Sequence, residues 1–563
     1  MPSLTRENNV ALVATLMLVF TGWAWGGVVL WTQWTSFALG TLALFFALLP
    51  KDSKSPLVVS FWKDFAAAVV IAAIVAVAFG ALDWSNLADQ RASTLELLPK
   101  QALPPVEFEQ WGLRGLMVGL GVLLALIFIA LFRLQTFASR RLLNFPPFWI
   151  GLALFTYIVI QSLNPWGLVV ERDFIWRVLP QDPVSWLPAG LDAPFIGDND
   201  PGGMNGWRQI LIFSGPWMLL CALHIAVTRR RVLTKIAWVV GVNALAIAIV
   251  GNVVASSTAR EFLGFKPWFA HHAPFGPFVY RNHAGIYFYL AAALVLALTS
   301  HLISKKGERA DRGGPHLISG FLFALLLIAA ASTISTGAMI GASMLLCVAP
   351  TLYFLDRNVH NSLSPVPALA ILGCSLLLGY MVITTADLGV LYKRIEQKQE
   401  QLIRTGEDDR APIRRATYAQ LDAGDTSKVI YGWGAGSYRW TSPEYLAKQP
   451  EFVDSKGKLW ARANFAHSDW LQALLEWGIA GCAILVPLLI WFGFRIRNAW
   501  RRRSGSLLAL CAGVTVLLLH ATLDFIFYFT PVLTLLALVL AWLALNEDAD
   551  ADHLEYGKSP QHR

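Results

Sequence analysis

The stretch Ala466–Gly481, AHSDWLQALLEWGIAG, puts a histidine at the joint between a long polar segment and an apolar run. Ser468 and Asp469 are helix-capping types, whose short side chains accept from the first unpaired backbone N–H groups of a helix. Trp470, Leu471, Leu474 and Trp477 recur at helical spacing, which predicts a short amphipathic helix feeding a membrane span. Asp469, Gln472 and Glu476 share the opposite face, expected to be the wetter one. His467 stands at the mouth, where an imidazole titrating near neutral pH meets water-borne and lipid-borne groups.

The rest of the chain sets this joint in a membrane. Hydrophobic residues make up 56% of the 563 residues and charged ones 15%, too apolar a balance for a soluble protein. The 23 Trp and 33 Phe suit aromatic belts at two interfaces. The net charge of +8 is spread through the gaps between apolar runs, so it reads as a topology signal and an affinity for membrane lipids, with no nucleic-acid partner. The five cysteines lie in or beside apolar runs without CxxC or metal spacing, so neither a disulfide framework nor a metal site is indicated.

Runs long enough to cross a bilayer core fall near 10–31, 34–50, 64–82, 112–133, 146–163, 208–228, 235–255, 284–303, 316–333, 336–355, 366–384, 473–494, 505–525 and 528–546. The fold expected is an all-α integral membrane protein with about 12–14 transmembrane helices and a large, partly helical periplasmic loop. N-terminal helices occupy 1–255 with outer loops 83–111 and 164–207, and central helices occupy 256–384. The large loop takes 385–472, with a solvated helix expected over Lys393–Thr405; C-terminal helices take 473–546 and a cytoplasmic tail 547–563. Alternate gaps carry Lys51, Lys54, Arg140, Arg141, Arg229–Arg231, Lys305, Lys306 and Arg501–Arg503, which assigns them to the cytoplasm and the long loops to the outer face. Chemistry on that face proceeds without nucleotides.

Three outer clusters carry candidate chemistry. Arg281, Asn282 and His283 in YRNHAG open an apolar helix, placing a cation and donors beside its positive end, although Arg281 also suits snorkelling and His283 helix capping. RAPIRR holds Arg410, Arg414 and Arg415, whose forks match diphosphate oxygens bidentately; a solvated charge cluster is the ordinary alternative. His467, presented at the membrane surface, is placed to take a proton from an acceptor hydroxyl. Between them YGWGAGSYRW sets Gly432, Gly434 and Gly436 among aromatics, a tight loop pressed onto something.

GPFVYRNHAGIYFYL together with RAPIRRATYAQL, YGWGAGSYRW and AHSDWLQALLEWGIAG resembles the O-antigen ligase and polymerase superfamily of bacterial envelope glycan transferases, over roughly 275–481. The resemblance implies transfer of a glycan from a polyprenyl-diphosphate carrier to a lipid or glycan acceptor hydroxyl, at the periplasmic face of the inner membrane, without metal or cofactor. His467 matches the loop histidine that serves as base or positions the acceptor, and Arg410 the arginine that clamps the diphosphate. Gly432, Gly434 and Tyr438 match the turn, Asn282 and His283 the earlier helix opening, and Arg281 becomes a second diphosphate ligand. Glu476 matches the motif's acid, in a structural role.

Ser468 stands for the usual Asn, Arg414 for a common aromatic, Tyr438 for Phe, and Ser335-Thr336-Gly337 for Ser-Arg-Gly. The last change removes a cation, for which Arg260 or Arg172 are substitutes the sequence does not align. A ligase acting on lipid A core is favoured. A polymerase or a protein O-oligosaccharyltransferase shares the motifs, and a polytopic transporter is the alternative from another class.

Overall fold

The computed structural model describes residues 2–49, 56–81, 137–172, 175–194, 204–256, 274–306, 314–356, 410–455 and 463–556, with isolated positions elsewhere. The spans expected near 112–133 and 366–384, the loop 83–111 and the helix Lys393–Thr405 lie outside these residues or are touched only at single positions. Two contact units divide the chain: Met1–Ser3 with Leu48–Asn144, and Leu4–Ala47 with Phe145–Arg563. The site belongs to the second.

Helices α1 (Pro2–Trp23) and α2 (Leu30–Leu48) come first; α3 (Pro56–Ala81) and α4 (Phe137–Leu143) lie in the first unit. The expected run 10–31 is broken between α1 and α2, because Trp25, Gly26 and Gly27 all take positive φ and turn the chain. Then follow α5 (Pro146–Leu163), α6 (Gly206–Ala226), α7 (Arg230–Ser256), α8 (Arg281–Lys306), α9 (Pro315–Ser332) and α10 (Thr336–Leu355). The large loop folds as α11 (Ala411–Asp422), α12 (Thr426–Tyr431) and α13 (Tyr438–Leu446). The chain closes with α14 (Asp469–Arg502), α15 (Gly505–His520) and α16 (Thr530–Tyr556), the last running past the boundary set at residue 546.

Six of these helices, α5 to α9 and α14, are long and apolar enough to cross a membrane, and we read the chain as a membrane-embedded helical protein. In α6 and α8, 83% of the apolar window is buried, against 33% in α5 and α14, so α6 and α8 form the interior and the latter pair turns its apolar side chains outward. Helix α8 packs along α9, α15, α7 and α10, while α6 lies along α16 and α5.

Not everything is helical. Between α5 and α6 the chain forms a three-stranded sheet, β1 (Pro165–Arg172), β2 (Ile175–Pro180) and β3 (Gly190–Asp192), in the order β2-β1-β3. Val169 pairs with Val178 in the antiparallel ladder and Leu168 with Asp192 in the parallel one. Residues 164–207, rich in Pro, Trp and Gly, suggest an ordered re-entrant or interfacial outer loop; the β-branched and aromatic side chains Val169, Val170, Trp176 and Val178 pack as strands there. Val169 and Leu191 bury against Trp440 of α13, which ties the sheet to the large loop.

Candidate functional site

The site is assembled from a break in α14. Gly478 takes φ +65° and interrupts the helix, so Asp469–Trp477 is a short helix that feeds the long one, as the apolar spacing predicts. A break frees carbonyls that would otherwise pair four residues on, and buried carbonyls need donors. The Gly-aromatic loop supplies them: Trp433 N donates to Leu475 O at 2.8 Å and Gly434 N to Glu476 O at 2.9 Å. Close approach demands glycine, since a Cβ on Gly432 (φ +83°) would lie 2.6 Å from Gly478 N.

The face expected to be wet is an interior polar seam. Asp469, Gln472 and Glu476 are all buried. The Glu476 carboxylate accepts from Gly436 N (3.0 Å), Gln472 Nε2 (3.0 Å), Tyr528 OH (3.2 Å), Tyr438 N (3.4 Å) and Gln209 Nε2. The Asp469 carboxylate accepts from Ile526 N at 2.7 Å and Phe527 N at 3.3 Å, fixing the α15–α16 connection. Protein donors replace water around Glu476 and at Oδ2 of Asp469, while Asp469 Oδ1 is buried without a hydrogen-bond partner among the described residues.

His467 precedes that helix in the left-handed region, φ +51°. Such a conformation is uncommon outside glycine and persists only when neighbours over-determine it. Here Ala466 N donates to Gln472 Oε1 at 3.0 Å, Ser468 Oγ accepts from Leu471 N at 3.4 Å, and the imidazole meets the edge of Phe525 at 4.8 Å. Its Nδ1 lies 3.2 Å from Asp524 Oδ1.

Asp524 is the centre of the cluster, with 1% of its side chain exposed. Besides His467 it takes Arg410 NH2 at 3.0 Å and Asn282 Nδ2 at 2.8 Å on Oδ2, and Phe525 N at 3.0 Å on Oδ1. Burial alone would raise its carboxyl, but the hydrogen bond from His467 and the charge of Arg410 outweigh burial and hold it well below the ordinary carboxylate range. Burial works against the charged form of Arg410 as well, and Asp524 beside it raises its pKa above the ordinary value. Arg410 also donates to Leu523 O.

Tyr280 completes the wall: Asn282 Nδ2 donates to its hydroxyl at 2.8 Å, its ring stacks on Phe525 at 5.6 Å, and burial with the nearby Asp524 charge pushes its phenol up to about 12. Phe465 covers Phe525 from another side, the rings 4.3 Å apart and nearly parallel.

Of the predicted residues, His467, Arg410 and Asn282 therefore converge on Asp524, and Arg281 precedes Asn282 on α8. The Arg281 guanidinium, partly exposed, has no ion-pair or hydrogen-bond partner among the described residues. His283 is buried behind them, with Nε2 2.9 Å from Phe525 O and its ring stacked on Phe529. Arg414 instead pairs with Asp408 at 2.6 Å, and Arg415 with Glu451 at 2.6 Å, both in half-exposed surroundings. Tyr438 is fully buried, its hydroxyl 3.4 Å from Thr417 Oγ1, and like Gly432 and Gly434 it shapes the loop from within. Gly337 of the Ser335-Thr336-Gly337 hairpin abuts the His520 ring; Arg260 and the Arg172 side chain lie outside the described residues.

Sequence reasoning missed Asp524. The signal was present: a single acid in HATLDFIFYF, between two apolar runs, is the kind of ionisable residue that membrane segments retain for a purpose. No protein-family model and no curated protein matches this chain.

Chemically, the arrangement pairs an oriented imidazole with a guanidinium through one carboxylate. Asp524 holds Nδ1 of His467 and, with the proton on Nδ1, leaves Nε2 as the acceptor. Arg410 is balanced by the Asp524 carboxylate, and Arg281, the residue before Asn282 on α8, adds a partly exposed guanidinium to the start of that helix.

Proposed function

We propose that this chain is a membrane glycosyltransferase of the O-antigen ligase type, a member of the superfamily its motifs resemble. It transfers a glycan from a polyprenyl-diphosphate carrier to an acceptor hydroxyl, on lipid A core or another envelope acceptor. The Lys/Arg asymmetry of the connections supports a bacterial inner-membrane protein with this site on the periplasmic side. The observation that carries the reading is one carboxylate, Asp524, holding His467 on one oxygen and Arg410 on the other.

In this reaction the acceptor hydroxyl gives its proton to His467 Nε2 while its oxygen bonds to the anomeric carbon of the donor glycan. The bond from that carbon to the diphosphate oxygen breaks, and the diphosphate leaves on its lipid carrier. On this reading Arg281, next to Asn282 on α8 and with no partner among the described residues, supplies charge to the departing diphosphate. Arg410 contributes its charge while its fork stays on Asp524 and Leu523 O. A guanidinium already held in place, as Arg410 is by Asp524 and Leu523 O, needs little reorganisation and contributes roughly a few kcal/mol to stabilising the leaving group.

The test is the length distribution of polyprenyl-diphosphate-linked glycans in the native host, in a deletion strain complemented with wild type or with His467→Ala. Long unligated chains accumulating in the deletion and the His467→Ala strain support a ligase; single repeat units accumulating there support a polymerase of the same superfamily. Full rescue by His467→Ala removes the base, and an unchanged lipid-linked pool in the deletion removes the transferase.

A further inference from the structure

Helix α5 carries an outward stripe, Trp149, Leu152, Thr156 and Leu163, all exposed and spaced to fall on one helix face. An 18-residue helix rises about 27 Å, close to the thickness of a bilayer core, so its last residue lies at the boundary with the headgroups. Leu163 is that residue, and it is 49% exposed.

The next residue holds a loop there. Asn164 caps α5, is itself buried, and ties down the segment between β2 and β3: Val184 N donates to its Oδ1 at 2.8 Å, while its Nδ2 reaches Val184 O (3.1 Å), Pro188 O (3.2 Å) and Leu187 O (3.3 Å). Gly190 N also donates to Asn164 O at 3.1 Å. A loop pinned this tightly would be expected to turn apolar side chains inward. It does the reverse: Trp186 is 73% exposed and Val184 48%.

We propose that the Val184–Trp186 tip is a lipid-surface anchor, seated in the phospholipid headgroup layer as the continuation of the α5 stripe. An indole is suited to that layer, with an apolar body for the acyl boundary and an N–H for the wet side. The same pins connect the anchor to the site: Gly190 packs against Gly434, and Trp166 Nε1 donates to Trp433 O at 2.8 Å. The anchor thereby sets the height of the Gly-aromatic loop above the bilayer. This inference does not depend on the proposed reaction.

The experiment uses the full chain in phospholipid nanodiscs, with the native cysteines replaced and an environment-sensitive fluorophore at Trp186→Cys or, as a control, at exposed Asp422→Cys. Lipids carrying a nitroxide just below the headgroup are expected to quench position 186 at least about twofold more than position 422, and aqueous iodide to do the opposite. Iodide quenching at 186 equal to that at 422, with no effect of the nitroxide lipid, overturns the anchor. So does protection of position 186 by a soluble oligosaccharide in place of lipid, which makes the tip a sugar platform. Because the cysteine background can disturb folding, the unsubstituted protein is also photolabelled with a headgroup-diazirine phospholipid. Adducts on the 182–190 peptide support the anchor, and their absence there while α5 is labelled overturns it.

Discussion

Replacing Asp524 by Asn tests the site at its centre, because the exchange keeps the shape and removes the charge. Oδ2 receives two donors, Arg410 and Asn282; Oδ1 receives Phe525 N and faces His467 Nδ1. An asparagine must put its NH₂ on one side. Placed at Oδ2 it opposes both the guanidinium and the Asn282 amide. Placed at Oδ1 it opposes only the Phe525 amide and can donate to His467 Nδ1, so this orientation is preferred. His467 then carries its proton on Nε2, and the atom meant to accept a proton no longer can. Turnover is expected to fall by about 10²–10⁴-fold, the range between loss of a general base and loss of an orienting aspartate. Stability falls too, by about 2–4 kcal/mol, because Arg410 loses its counter-ion. The lower part of that range is expected, since the Arg410 side chain is 25% exposed and water takes over some of its solvation. The assay is transfer from purified lipid-linked donor in nanodiscs, with thermal unfolding of the same samples. A folded Asp524→Asn protein turning over within about tenfold of wild type would falsify the His–Asp reasoning.

Acid should act through the same group. The Asp524 carboxyl titrates below its ordinary range in the folded protein, so the unfolded chain binds more protons in acid; stability is complete above about pH 4 and is lost as pH falls through the folded value. Unfolding midpoints in nanodiscs across pH should be flat near neutrality and drop below about pH 4, with a shallower drop in Asp524→Asn; equal slopes would show that other carboxylates dominate. Arg281→Gln should reduce transfer by about 10–100-fold with unchanged thermal stability, as the side chain has no partner to lose among the described residues. Arg414→Gln, which breaks a half-exposed pair with Asp408, should change stability by at most about 1 kcal/mol and leave turnover near wild type; comparable losses in both variants would mean that the arginines act as one general field. Gly434→Ala should destabilise by about 2–4 kcal/mol, because φ is +104° and a Cβ would stand 2.8 Å from Leu191 N; an unchanged unfolding midpoint would mean that the loop is not clamped as described.

The joint at His467 was legible because its evidence is local. Trp470, Leu471, Leu474 and Trp477 announce a helix whatever surrounds it, and Gly478 breaks that helix inside the run 473–494 expected to be the span. Which face is wet is not local. Asp469, Gln472 and Glu476 read as solvent-facing until the Gly-aromatic loop and the α15–α16 connection are known to deliver donors to them. The three arginines of RAPIRR look equivalent in sequence. Arg410 precedes α11 and reaches Asp524, whereas Arg414 and Arg415 lie a turn further on and find Asp408 and Glu451. Asp524 was lost for a different reason: averaged over a window, one acid among Phe525, Ile526, Phe527, Tyr528 and Phe529 disappears into an apolar run. The sheet was not legible because the Pro, Trp and Gly of this outer loop suit interfacial structure, while the alternation that builds β1 and β2 covers only a few residues on each strand.

Of the three buried carboxylates beside the histidine, Glu476 and Asp524 differ in what balances them, and that difference assigns their roles. Glu476 is met by neutral donors, namely two backbone amides, two glutamine amides and a tyrosine hydroxyl. None of these changes charge during proton transfer, so Glu476 can hold the loop, and through Gln472 the Ala466 amide, without responding to the chemistry. Asp524 is met by a guanidinium and an imidazole. On the proposed reading, a proton arriving on His467 turns it into a second cation on the same carboxylate, so Asp524 balances His467 and Arg410 together as the diphosphate departs. A rigid carboxylate thus sets where His467 stands, and a responsive one couples its protonation to the arginine. Exchanging the two environments would leave the imidazole either misplaced or uncoupled.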